Sequence, residues 1–290
     1  MDLPLQTWIQ AIINGLAMGW LYVLMALGLT LILSIMGILQ LAHGEIYMIG
    51  AYIVFVLARQ HGVNLYAAIV ISMLVMAVFG ALIERGLFRP RPGQDPVLPA
   101  IAISTSLTLI LSSFAVVSFG LYEKGLPKLV KGSFRVLDVA IPRDRILAVG
   151  ISVAMLLVVY LFLKKTRRGQ AMVASAQNRE ASYLRGINPN HMSRLAMMIG
   201  CALAALAGAL AGSILVLNPS MGGLPMIKGL VVIVLGGLGS VPGAAVGGMI
   251  LGLIDGVVPV VFGATAAALA PLILVILFLL FRPRGLFGHE

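Results

Sequence analysis

Charge is what this chain has least of. Only 10% of its 290 residues are Asp, Glu, Lys or Arg, against roughly 25% in an average soluble domain. With 60% hydrophobic residues and a mean hydropathy of +1.07, an ordinary soluble protein is excluded, as is a disordered or fibrous chain. Cysteine is nearly absent too. Cys201 stands alone in an apolar stretch, so neither an intrachain disulfide nor a thiolate metal cluster can form. Enzyme signatures are missing: there is no Gly-x-x-x-x-Gly-Lys-Ser/Thr phosphate loop, no His-Glu-x-x-His and no Gly-x-Ser-x-Gly elbow. The four histidines, His43, His61, His191 and His289, are scattered among separate loops and ends. No catalytic residue, metal or cofactor is expected on this chain.

Glycine, by contrast, is abundant. The 33 Gly and 14 Pro in so apolar a background suit helices packed closely in lipid. The formal charge of +10 could suggest nucleic acid, but the basic residues fall in short segments between long apolar runs. That is the pattern of positive-inside topology, and no nucleic-acid partner is expected. Stretches without Asp, Glu, Lys or Arg cover residues 3–44, 46–58, 60–83, 96–122, 146–163, 195–227, 229–254 and 256–281. Most are long enough to cross a bilayer, which takes ~20 residues at ~1.5 Å each. The first predicts one long helix from about Gln6 to Met36 and the entry into a second, interrupted one near Gln40. Asp2, with no basic cluster beside it, argues against a cleaved signal peptide.

Loop charges orient the spans. Residues 164–194 hold Lys164, Lys165, Arg167, Arg168, Arg179, Arg185 and Arg194 against the single acid Glu180, which makes this segment cytoplasmic. Arg85, Arg89 and Arg91 mark a second cytoplasmic loop, with turn chemistry over residues 89–93, and Arg282 and Arg284 mark a cytoplasmic C-terminus. Three crossings back from Arg85, the N-terminus comes out external. Residues 120–145 must then be external, although they carry Lys124, Lys128, Lys131, Arg135, Arg143 and Arg145 against Glu123, Asp138 and Asp144. There the alternation Phe134-Arg135-Val136-Leu137-Asp138-Val139, ending at Ile141-Pro142, predicts a short strand or hairpin. Beyond Gly222 three short crossings fit best, near 224–239, 244–262 and 264–281. The fold expected is all-α and polytopic, a single transmembrane domain over 1–290 with eight to nine transmembrane or half-spanning helices.

Two helix breaks are the candidate pathway or gate elements, because irregular backbone at membrane depth survives only where protein or a watery cavity satisfies it. One is Gln40-Leu41-Ala42-His43-Gly44-Glu45, followed by Gly50-Ala51-Tyr52; the other is Gly236-Gly237-Leu238-Gly239-Ser240, followed by Pro242-Gly243-Ala244. Interrupted segments in corresponding parts of two halves would point to an inverted repeat, a question the weak similarity of the halves leaves open. His43 and Glu45 read either as a gate or proton-sensing contact, or as caps of a helix start at a membrane face. Lys228 and Asp255, isolated in apolar runs, would each cost ~2.5–3.5 kcal/mol at the bilayer centre; they either pair or sit near interfaces. Small-residue spacings such as Gly15-xxx-Gly19, Ala204-xxx-Gly208-xxx-Gly212, Gly243-xxx-Gly247 and Gly248-xxx-Gly252-xxx-Gly256 allow close helix approach, within the subunit or between subunits.

The segment from Lys164 to Pro189 reads as two short helical pieces with a stop at Gly186. Its Glu180-Ala181-Ser182, with Gly186 four residues on, resembles the Glu-Ala-Ala-x-x-x-Gly loop by which permeases of ATP-binding cassette importers dock on their ATPases. Other stretches line up over nearly the whole chain: Leu41 to Glu45, Ile83-Glu84-Arg85 with Phe88-Arg89-Pro90, Arg168-Gly169, Gly186-Ile187-Asn188, and Asn218-Pro219 with Gly222. Lys228, Leu235 to Ser240 with Pro242-Gly243-Ala244, and the closing Arg282 to Gly288 complete the match. Together they resemble a LivH-like permease subunit of the branched-chain amino-acid ABC importers. The resemblance implies a multi-pass protein of a bacterial or archaeal cytoplasmic membrane that moves branched-chain or related amino acids inward by alternating access. It implies as partners a paralogous permease, two cytoplasmic ATPase subunits that bind ATP-Mg, and an external solute-binding protein. Glu180, Ala181, Ser182 and Gly186 become the ATPase-coupling residues; His43, Gly44, Glu45, Gly236, Gly237, Gly239 and Ser240 remain the pathway candidates. The competing reading is a self-contained secondary carrier or channel for a small polar solute such as urea or an amide.

Overall fold

The computed structural model describes residues 4–89, 97–136, 139–282 and 285–287. Asp2, the turn foreseen after Arg89 with its Arg91, the hairpin residues Leu137 and Asp138, and Pro283, Arg284, Gly288 and His289 lie outside them.

The uncharged runs fold as helices, because in lipid every backbone polar group must be paired within its own segment. The first four are α1 (Leu5–Met36), α2 (His43–Phe55), α3 (Leu65–Ile83) and α4 (Val97–Phe119). Helices α2 and α3 each end in a π-helical turn, reaching Gln60 and Phe88. The foreseen hairpin follows as β1 (Ser133–Val136) and β2 (Val139–Pro142), antiparallel with Phe134 opposite Ile141. Then come α5 (Arg143–Lys165), α6 (Arg167–Gln177), α7 (Arg179–Leu184), α8 (Pro189–Ile214), α9 (Gly223–Gly236) and α10 (Val241–Phe281). Gly263, at φ 82° and ψ 173°, breaks α10 into Val241–Gly263 and Thr265–Phe281. Counted with α2 and the short α9, the described residues form nine spanning or half-spanning segments. The chain is an all-α polytopic membrane protein.

The core is built on α1 and α8, which are buried over most of their length, while α4, α5 and α10 leave most of their surface exposed. Glycine seams bring the helices together. A Cβ on Gly252 would lie 2.3 Å from the Cα of Gly19, and one on Gly256 2.7 Å from that of Gly15, so α1 and α10 cross backbone on backbone. Gly208 of α8 meets the Tyr47 carbonyl of α2 in the same way. The small-residue spacings therefore serve packing within the subunit.

The bundle has two distinct ends. At one, called here the hairpin end, lie β1, β2, the start of α1 and the loop after α8, where Lys124 and Leu217 exchange backbone hydrogen bonds of 2.9 and 2.8 Å. At the other, the lever end, lie α6, α7, the turn between α9 and α10, and the tail beyond α10.

Candidate functional site

The first break is a re-entry. Gly37, with φ at 68°, ends α1 and donates its N–H to Leu33 O; only a residue without Cβ turns there without strain. The chain then doubles back, burying Ile38, Gln40 and Ala42, and α2 begins inside the protein. A Cβ on Gly28 would lie 2.9 Å from His43 Nε2, and Gly28 is about two turns, or ~12 Å, inside the end of α1. His43 therefore lies inside the protein at the start of α2; Ala42 is the N-cap, without a side-chain cap bond, and Glu45 stands in the first turn, at the positive end of the helix dipole,. A count of residues along the run missed this because it assumed that each helix begins where the previous one ended. Gln40 and His43 are fully buried; among the described residues neither amide atom of Gln40 nor Oε2 of Glu45 has a hydrogen-bond partner, and the His43 ring faces the backbone of Met25. Each such group costs about 1–3 kcal/mol when left unpaired. That expense is the mark of a site rather than of packing.

A second helix start meets this one. A Cβ on Gly222 would lie 2.2 Å from Gly44 O, and one on Gly44 2.4 Å from Gly222 O. The starts of α2 and α9 thus cross with no room for any side chain. The other end of α9 is the second break, so this half-helix joins the two regions without bringing their residues into contact. Gly237 (φ 97°) and Gly239 (φ 84°) make the turn, and Ser240 Oγ caps α10 by accepting from Gly243 N at 3.1 Å. Leu286 N and Phe287 N donate to Leu235 O and Gly236 O at 2.9 and 3.0 Å, so the tail satisfies carbonyls that the end of α9 leaves free. A cleft of about 680 Å³ separates this turn from α5 and α6, lined by Lys164, Gln170, Gln177, Gly239, Ser240 and Phe287 among others.

The lever is rigid for reasons readable in its caps. Thr166 Oγ1 accepts from Gly169 N at 3.0 Å at the start of α6, and Asn178 Oδ1 accepts from Ala181 N at 2.9 Å at the start of α7. At the far end Ile187 N bonds Ser182 O and Gly186 N bonds Tyr183 O, both at 3.0 Å, with Gly186 at φ 78°. That pair of bonds is a Schellman closure. Glu180 and Ala181 are exposed and Ser182 is buried. Beside them Tyr183 and Leu184 are 70% and 87% exposed, an apolar tip flanked by Arg179 and Arg185. Glu84, fully buried, anchors the base of this region with Arg194 at 3.5 Å and Arg89 at 3.4 Å.

Residues 11–281 match the family described as branched-chain amino acid transport system / permease component. The chain belongs to that family. It is 36% identical to the high-affinity branched-chain amino acid transport system permease protein BraD of Pseudomonas aeruginosa, over 97% of this chain and 96% of that protein. To the corresponding LivH of Escherichia coli it is 30% identical, with the same coverage. LivM of Escherichia coli is a more distant relative, 24% identical over 76% of this chain and 57% of its own length. The fold is also that of PsaBC from Streptococcus pneumoniae, solved in complex with Fab: TM-score 0.54 at 12% identity, over 93% of this chain and 91% of that one.

In this permease the two isolated charges are a pair. Lys228 of α9 donates to Asp255 Oδ2 of α10, Tyr22 OH of α1 donates to the same oxygen at 2.6 Å, and Lys228 Nζ lies 3.0 Å from Tyr22 O. Three helices are thereby tied at one point. Pairing of Lys228 with Asp255 was one of two readings their isolation allowed; Tyr22 carried no signal, being a neutral ring in an apolar run.

Proposed function

We propose that this permease is the membrane-spanning subunit of an ATP-driven importer of branched-chain or related amino acids. It would work beside a paralogous permease, with two cytoplasmic ATPases carrying ATP-Mg and an external solute-binding protein. The observation that carries the reading is α7: a six-residue helix, capped at both ends, that offers Tyr183 and Leu184 to an absent partner. A rigid, doubly capped helix transmits displacement instead of absorbing it. Under this reading the lever end is cytoplasmic, in keeping with its excess of Lys and Arg, and the hairpin end and N-terminus are external.

ATP-driven closure of the partner ATPases moves α7 and α6; α6 packs on α1 and α1 packs on α9, so the movement reaches that half-helix. Because the start of α9 presses on Gly44, displacement of this half-helix reaches His43 and Glu45, whose buried polar groups become available as the helices open first outward and then inward. Glu180, Ala181, Ser182 and Gly186 act in coupling; His43, Gly44, Glu45, Gly236, Gly237, Gly239 and Ser240 act along the path. The test is affinity purification from native membranes in mild detergent, followed by reconstitution of what co-purifies. Recovery of an ATPase pair and a related permease, with leucine uptake that requires ATP and the binding protein, is the expected result. Uptake by the purified chain alone would replace this reading with a carrier or channel.

A further inference from the structure

Next to the Lys228–Asp255 pair, toward the hairpin end, a cavity of about 450 Å³ opens between α1, β2 and α10. Gln6, Gln10 and Asn14 recur every four residues, so they form one stripe of α1 facing it,. Asp255 stands in the wall contributed by α10, and Val139, Ala140 and Val260 add apolar surface. Asn14 is held in place: its Oδ1 accepts from Gln10 Nε2 at 3.0 Å and from the guanidinium of Arg145. Two of the three polar side chains of the stripe are thus organised around a cation.

The carboxylate is only half used. Lys228 and Tyr22 both bond Oδ2, and among the described residues Oδ1 accepts no hydrogen bond, which leaves it for a ligand. The cavity therefore offers a carboxylate from α10, the amides of Gln6, Gln10 and Asn14 from α1, the last of them bonded by Arg145 outside the lining, and small aliphatic surfaces. Helix packing needs none of this. Amides placed on a membrane helix are costly unless something polar meets them.

We propose that this cavity is an outer receiving site for an α-amino acid with an aliphatic side chain. The substrate ammonium bonds Asp255, its carboxylate accepts from the side-chain amides of Asn14 and Gln6, and its side chain lies against Val139 and Val260; Arg145 is a positioning residue that holds Asn14. Lys228 and Tyr22 are positioning residues that hold Asp255 at the cavity wall. The assignment rests on the importer reading, since it names where the solute is first received from outside.

The experiment uses the complete transporter in liposomes, with tritiated leucine delivered by the binding protein. Arg145→Gln, which leaves the Lys228 pair intact and removes the charge-assisted bond that holds Asn14, should reduce uptake by ~10-fold, with ATP hydrolysis retained. Asp255→Asn leaves Lys228 unpaired, so the decisive variant is Asp255→Asn/Lys228→Met, which removes both charges and should show the same loss in a stably inserted complex. Photo-leucine should crosslink to residues 6–14, 139–140 or 255–260 in the wild type and not in the double variant. Wild-type uptake by both Arg145→Gln and the double variant, or crosslinks confined to other segments, would overturn the site and leave the importer reading standing. Failure of the wild-type complex to import leucine on ATP would instead overturn the importer reading and this assignment with it.

Discussion

Gly186 tests whether the lever works through its backbone. Its φ is 78°, and a Cβ built there meets nothing within 4 Å. Any cost of substitution is therefore conformational, with no steric part. An L-residue in the left-handed region costs about 1–2 kcal/mol, Asn less because it tolerates that region, and a β-branched residue more. Since ~1.4 kcal/mol is tenfold in an equilibrium, the equilibrium constant for closing the Schellman turn should fall about 5- to 30-fold in Gly186→Ala. It should fall further in Gly186→Val and little in Gly186→Asn. If the closed turn is what carries force from the ATPases, coupling follows the same order. The assay is leucine uptake per ATP hydrolysed in reconstituted vesicles, at matched levels of inserted protein. The expected ranking is wild type, Asn, Ala, Val, with hydrolysis continuing while uptake falls. A wild-type ratio in Gly186→Val would refute a role for the turn. Equal damage from Asn and Val would show that loss of glycine's bareness, not its φ, is what matters.

Other substitutions separate packing from transport. Gly252→Ala puts a Cβ about 2.3 Å from Gly19 Cα and should cost about 1–3 kcal/mol by overpacking, read as a lower unfolding midpoint in detergent; Gly150→Ala, inside α5 with nothing within 4 Å, is the matched control and should raise the midpoint slightly, by the roughly 0.5–1 kcal/mol that Ala gains over Gly in a helix. Glu84→Gln strips the buried partner from Arg194 and Arg89 and should destabilise by about 1–3 kcal/mol, with part of the loss recovered in Glu84→Gln/Arg194→Gln, as a double-mutant cycle measures. Gly239→Leu, at φ 84° and with Ser34 Oγ 3.2 Å from the new Cβ, should abolish uptake while the ATPases still co-purify. Retained uptake would remove that turn from the moving parts.

What could be read from the sequence followed from local physics, and what could not depended on direction. Uncharged runs marked α1 and the three crossings after Gly222 because bilayer thickness sets a length, and the alternation around Phe134 marked β1 and β2 because strands repeat every two residues. The lever was legible because its signals are local: Gly186 is a stop, and a dense run of Arg and Lys belongs at a water boundary. The burial of His43 was hidden for the opposite reason. Hydropathy measures how long a segment stays apolar, not which way it travels, and after Gly37 the extended chain returns into the protein instead of crossing the solvent. The meeting of Gly44 with Gly222 was equally hidden, since residues so distant in sequence share no pattern. The same limit applies to Gln6, Gln10 and Asn14. In the sequence they are three neutral residues at the edge of an apolar run, and no charge count draws attention to them. Only once α10 is laid against α1 do they share a cavity with Asp255, and only the packing of α5 on α1 gives Arg145, which looked like a stray cation in a loop of mixed sign, its partner Asn14. A chain poor in charge is where such juxtapositions carry the most meaning: each charged group kept beside the apolar spans must be paired or bind something, and Asp255, paired through Oδ2, has among the described residues no hydrogen bond to its Oδ1 beside the cavity.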